Sequence, residues 1–232
     1  MSPIDIAAAA IFALCWVFYE PLLERVSSGH GGINRDMIVL REAWIRQMLG
    51  RENRIMDTNL LGHLLSSASF FASTNLLIIA AAAGLLFGGE TMLDSLRGLD
   101  LFASAPNWLM EAKIGLVMIT LTRGLLDFIW SIRQLNYCVA LFGAAPDHTL
   151  KAESERFVAA ASDVLNPALQ EFNKGVRAYY FALAAAAWLV SPYAMAAAAV
   201  WAFFLLARRQ TASQAAGGIR AAKEFIAGDK LG

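Results

Sequence analysis

Four stretches of this chain, about 4–23, 60–87, 114–135 and 178–207, are apolar for 20 residues or more. That length crosses bilayer hydrocarbon as a helix, which needs roughly 20 residues at about 1.5 Å each. An isolated strand could not satisfy its backbone polar groups in lipid, so such runs must be helical. The expected fold is therefore all-α: an integral membrane helical bundle with about four transmembrane helices in one membrane domain. The first run does not read as a cleavable signal, because no basic residue precedes it and Trp16, Phe18 and Tyr19 stand where small residues would be needed. Composition agrees, with 58% hydrophobic residues, 16% charged residues and a mean hydropathy of +0.51. Disorder, a collagen-like repeat and a soluble domain are excluded on those figures. Nineteen basic and 19 acidic side chains cancel, so no overall field points to nucleic acid. Cys15 and Cys138 both lie in apolar runs, which excludes a disulfide-stapled secreted domain and gives neither thiol the electropositive setting of a reactive one.

Basic residues between the runs set the orientation. Residues 24–58 hold six arginines (Arg25, Arg35, Arg41, Arg46, Arg51 and Arg54), whereas residues 88–113 hold only Arg97 and Lys113. These segments predict an outside N-terminus, with the first and third loops cytoplasmic. Residues 133–177 hold five basic residues and fit; the tail after 207 also holds five and does not, since four spans would leave it outside. Pro192, in Ser191-Pro192-Tyr193, could split the last run into two half-spans and return the tail to the cytoplasm. A proline kink within one span is the ordinary alternative and is the expectation taken here.

Both cytoplasmic segments read as amphipathic helices, over about 34–50 and 149–165. In the first, Met37, Ile38, Leu40, Trp44, Ile45, Met48 and Leu49 recur at helical spacing, with Arg41, Glu42, Arg46 and Gln47 on other faces. Asn34 suits the N-cap and Asp36 the first turn. Such a helix fits either the membrane interface or the protein's own helices. The glycine- and serine-rich stretch 27–32 reads as a flexible link, since no lysine follows to make a phosphate loop. In the second segment Phe157, Val158, Ala161, Val164, Leu165 and Leu169 repeat the pattern, and Asn166-Pro167 predicts a helix restart.

Ionisable and polar side chains inside apolar runs are costly and raise a functional hypothesis. His63, Ser67 and Thr74 form a stripe on the second run, and Arg123 and Asp127 stand one turn apart in the third. Together they could line an ion or solute path. The same groups also suit plain helix packing, with serine and threonine as interhelical glue and the ion pair neutralising itself. A haem site would need two axial histidines in the spans, and His30 and His148 fall in the connections. H-E-x-x-H, C-x-x-C and G-x-S-x-G are all absent, so neither a metal nor a cofactor is expected, and no constellation compels enzyme chemistry.

Three stretches carry a family resemblance. Arg54-Ile55-Met56-Asp57-Thr58-Asn59-Leu60-Leu61-Gly62-His63 with Ser69-Phe70-Phe71-Ala72-Ser73-Thr74 is the first. Asp127-Phe128-Ile129-Trp130-Ser131-Ile132-Arg133-Gln134-Leu135-Asn136-Tyr137 is the second, and Phe172-Asn173-Lys174-Gly175-Val176-Arg177-Ala178-Tyr179-Tyr180 the third. Together they resemble the signatures of the domain of unknown function 599 family. The resemblance implies a multi-pass membrane protein of bacteria and plants with about four spans, and a bacterial inner membrane is expected here. It implies no activity and no site residues.

Each signature places polar groups at the cytoplasmic end of a run: Arg54, Asp57 and Asn59; Arg133, Gln134 and Asn136; Asn173, Arg177 and Tyr180. They could converge into one network. Alanine runs and glycines permit close helix contact and self-association. Two functions follow: an oligomeric passive pore along the stripe, or a non-catalytic scaffold offering its cytoplasmic helices to a protein partner. An intramembrane enzyme acting on lipid is a third and weaker class.

Overall fold

The computed structural model describes residues 1–21, 32–88, 106–146 and 151–228. The end of the first apolar run, residues 27–31 of the expected link, most of the second loop, His30, His148 and the start of the 149–165 segment lie outside the described residues. Among the described residues the regular structure is entirely helical. In chain order the helices are α1 (Pro3–Val17), α2 (Ile33–Leu49), α3 (Ile55–Phe87), α4 (Asn107–Gly143), α5 (Lys151–Ala186), α6 (Pro192–Ala212) and α7 (Gln214–Gly228). A 3-10 turn over Ala187–Leu189 follows α5.

The helix ends follow local chemistry. Ser2 caps α1: its Oγ accepts from the Asp5 amide at 3.1 Å, and the Asp5 carboxylate accepts from the Ser2 amide at 2.9 Å. This reciprocal box, with Pro3 as the first helical residue, satisfies two otherwise orphaned donors. Gly32, not the expected Asn34, is the N-cap of α2. Asn34 lies inside the first turn, and its Oδ1 accepts from Asn173 Nδ2 at 3.0 Å, so its oxygen serves a neighbour rather than its own helix.

The two prolines behave opposite to expectation. α5 runs through Pro167 without restarting. A proline inside a helix loses one hydrogen bond and crowds the preceding turn, but packing holds this one in line. Leu165 and Ala168 are fully buried, and Ser131 Oγ donates to the Ala168 carbonyl at 2.7 Å. At Pro192 the helix does break. The run 178–207, expected as one kinked span, is the end of α5, the 3-10 turn and most of α6. Ser191 Oγ accepts from the Ala194 amide at 3.0 Å, so serine and proline act together as cap and first residue of a new helix. α7 was legible only in its Ser213 cap, whose Oγ accepts from the Ala216 amide at 3.1 Å.

Two compact units form. The first comprises the described residues of Met1–Val26, Ala72–Leu126 and Lys174–Ala207; the second those of Ser27–Phe71, Asp127–Asn173 and Arg208–Gly232. Helices α3, α4, α5 and α6 each contribute to both. In the first unit Phe12, Tyr19, Phe181, Trp188, Met195 and Ala199 form the main core. Phe181 meets Phe12 edge-on at 6.1 Å between ring centroids, and Tyr19 meets Phe203 at 5.6 Å. In the second unit Ile45, Met48, Leu61, Leu135, Phe142, Val158 and Leu165 form the core. The stacked pair Phe71 and Phe128, 5.9 Å apart, lies edge-on to Phe172.

Among the described residues two helices, α3 and α4, are long and apolar enough to cross a membrane. Only 11% of the most apolar stretch of α3 is buried, and 39% of that of α4. Leu76, Leu77, Ile78 and Phe87 stand exposed on α3, as do Ile119, Leu126, Ile129 and Trp130 on α4.

Close backbone approach fixes the first unit at Gly124. A Cβ there would lie 2.5 Å from Ala178 Cβ and 3.3 Å from the Gly175 carbonyl. Beside it, Asn75 Nδ2 donates to the Leu121 carbonyl at 2.9 Å, fastening α3 to α4. Gly124→Val should therefore lower stability by about 1–3 kcal/mol through overpacking, seen as a lower thermal midpoint in detergent. Gly115→Ala, whose Cβ would meet nothing within 4 Å, should be neutral or stabilise by up to about 1 kcal/mol through helix propensity.

Candidate functional site

The polar chemistry of the second unit gathers around α2. Asp57, in the first turn of α3, is only 1% exposed. Its Oδ1 accepts from Trp44 Nε1 at 2.7 Å and from Arg51 Nη1, so one cation and one neutral donor meet the buried charge. The Trp44 ring is itself held edge-on to Phe142, 5.6 Å away. Arg54 turns the other way. Its two terminal nitrogens donate to the carbonyls of Ala145 and Pro146, at 2.7 and 2.9 Å, just past the end of α4. Helix ends leave such carbonyls without partners, and a guanidinium is well shaped to take two.

Along α2 a second set of contacts reaches α5 in antiparallel order. Asn34 meets Asn173, Arg41 Nη1 donates to Asn166 Oδ1 at 3.1 Å, and Arg46 holds Glu155 through two bonds of 2.7 and 2.8 Å. Hydrogen bonding to Glu155 raises the Arg46 pKa above its ordinary value. Burial pushes that of Arg41 down. From the tail, Lys223 Nζ pairs with the buried Asp36 Oδ1 at 2.7 Å and brings α7 onto α2. Of the two expected settings for α2, the structure shows packing on the protein's own helices, with Ile45 and Met48 inside the core.

One expectation about α2 is corrected. Arg41 does not lie on another face; it is buried on the same face as Ile45 and Met48, four and seven residues on. That spacing was available in the sequence, but the arginine head group masked it, since a charged residue is rarely assigned to a core face.

The remaining expected residues are divided between the two units. Of the pore stripe, His63 and Arg123 are exposed, Ser67 and Thr74 half-buried, and Asp127 buried. His63, Ser67 and Asp127 fall in the second unit, Thr74 and Arg123 in the first. Asp127 and Arg123 both have partners. Of the cytoplasmic-end residues, Arg177 and Tyr180 belong to the first unit and the others to the second. Arg133 Nε donates to Tyr137 Oη at 2.7 Å, and Asn136 Nδ2 to the Ile132 carbonyl at 2.9 Å, both one turn away on their own helix. Asn59 is exposed, and Gln134 Oε1 is buried without a hydrogen bond.

In the first unit two clusters went unread in the sequence. Arg177 pairs with Glu20 at 2.7 Å and lies 4.7 Å over the Tyr19 ring. Asp5, besides capping α1, accepts from Trp188 Nε1 at 2.9 Å, and the buried Lys113 sits 5.9 Å over the Trp188 ring. Serine three residues ahead of an acid, with proline between, signals the cap; no local pattern signals the tryptophan 183 positions later. Among the described residues no three potential metal ligands come together.

Arg51 and Asp57 are not equivalent partners. Arg51→Met strands a buried carboxylate, and its cost should be about 3 kcal/mol. Asp57→Asn keeps an acceptor for Trp44 and frees an arginine that can reach water, so chemical unfolding should show a smaller loss. Arg46→Gln removes an ion pair that is largely exposed, and should cost under about 1 kcal/mol.

No curated protein and no solved structure gives a significant match to the chain. The family model described as a protein of unknown function, DUF599, matches residues 7–215, which takes in α1 to α6 and stops as α7 begins. The chain therefore belongs to the DUF599 family.

Proposed function

We propose that this chain is an integral membrane protein of a bacterial inner membrane, with its apolar helices in the bilayer, and that it serves as a non-catalytic scaffold through its cytoplasmic segments. Exposure supports the bilayer: a helix as apolar as α3 with 11% of its apolar stretch buried presents a surface that water does not tolerate and lipid does. The observation that carries the scaffold over the pore is Asp127. A conducting path needs this carboxylate open to water, and it is buried and partnered. The same holds for Asp36 and Asp57, whose charges are met inside the protein. Glu153, Arg156 and Asp163 are exposed at the start of α5, and this is the face the reading offers to a protein partner.

The same contacts support an orientation. The Lys223–Asp36 pair puts the basic tail beside the arginine-rich first loop. In this reading α5 ends as one crossing and α6, 21 residues long, returns. With α1, α3 and α4 that makes five crossings, an outside N-terminus and a cytoplasmic tail, which removes the conflict in the distribution of basic residues. One observation favours the pore as a second reading: His63 and Arg123 are exposed on apolar helices, where another copy of the chain would cover them. Self-association through those faces belongs to either reading.

Proteoliposomes holding the purified protein should show no proton or ion flux above empty vesicles. Reproducible flux that changes in Asp127→Asn would replace the scaffold with the pore. Single cysteines at Arg35 and Phe225, in a Cys15→Ala, Cys138→Ala background, should react with an impermeant maleimide only after cells are permeabilised. Labelling from opposite sides would overturn the five-crossing topology.

A further inference from the structure

Arg41 is the buried cation of the second unit that lacks a described carboxylate. It keeps 8% of its surface exposed. Its Nη1 has a neutral partner, Asn166 Oδ1, and its Nε is buried with no acceptor. Glu42, next in sequence, acts on Arg46 instead. One turn before Asn166 on α5, Ser162 is also buried, and its Oγ has no partner. The buried acids Asp36 of α2 and Asp57 of α3 each have a cation, Lys223 and Arg51 respectively. Arginine cannot escape burial by losing its proton. An unpaired buried charge is costly, so an anion supplied from outside would relieve it.

We propose that Arg41, Asn166 and Ser162 form an anion site that takes a phosphate group. The guanidinium supplies the charge and a planar pair of donors, the geometry that suits a tetrahedral oxyanion. The Ser162 hydroxyl supplies another donor. Holding Oδ1 on Arg41 leaves the Asn166 amide nitrogen as a further one. The phosphate could belong to a soluble phosphate compound or to an anionic phospholipid head group, and the same oxygen chemistry serves both.

Thermal unfolding of the full chain in neutral detergent, in phosphate-free buffer, tests this. The wild type should gain about 3 °C with inorganic phosphate, or with phosphatidylglycerol against phosphatidylcholine in mixed micelles, and nothing with chloride at equal ionic strength. A gain with inorganic phosphate assigns a soluble ligand; a gain confined to phosphatidylglycerol assigns the head group. Arg41→Leu should lose the gain and, without anion, unfold at or above the wild-type temperature, because its charge needed no burial. Ser162→Ala should fold normally and lose at least half of the gain. An equal gain in wild type and both variants overturns the site. So does no gain with either phosphate source, or an Arg41→Leu protein less stable than wild type in the absence of anion.

Discussion

Asp57 is taken out of water at the beginning of α3, and its charge has to be answered within the protein. Trp44 and Arg51 answer it, one from inside α2 and one from just after it. To bring the Trp44 ring to that oxygen, α2 must lie with Ile45 and Met48 turned inward, since those residues neighbour Trp44 on the helix. With that face fixed, Arg41 is carried inward too, and Asn34 and Arg46 fall opposite Asn173 and Glu155. One buried carboxylate thus sets the rotation of α2, and that rotation sets the partners of α5. Asp36 extends the same logic to the tail, because its burial calls for Lys223 and so for α7.

The first unit rests on a different constraint. Its contacts are mostly between small and aromatic side chains, with Gly124 against Gly175 and Ala178, the rings of Phe12 and Tyr19 against Phe181, and Phe203 against Tyr19. In the proposed bilayer setting lipid gives no hydrophobic drive for helices to meet, and close packing with a few hydrogen bonds would hold such a bundle together. Asn75, bonded to the Leu121 carbonyl beside Gly124, fits that requirement. Asn75, next to Thr74 but not one of the stripe residues, therefore has a fastening role.

The helical class and family membership were legible because they depend on local or linear information: run length, apolar content and three short signatures. The candidate site was much less so. Arg41 looked like a solvated residue because head-group charge was weighed above its spacing from Ile45 and Met48. Asp5 and Trp188 are 183 positions apart, and Asp36 and Lys223 187 apart; nothing in either neighbourhood announces the other. His63 and Arg133 drew notice for their chemistry and proved exposed.

The sequence by itself determined that the chain is helical and that α3 and α4 carry an apolar surface long enough for a bilayer. These follow from run length and backbone satisfaction, which are read along a single stretch of chain. Only the tertiary structure decided what the two prolines do. Pro167 stays in line because buried neighbours on both sides hold α5 straight, while Pro192 starts a new helix because Ser191 is placed to cap it. It also decided which charges are buried, since burial depends on which helix faces meet. That choice is made by the whole set of packed side chains at once, and no single stretch of sequence contains it.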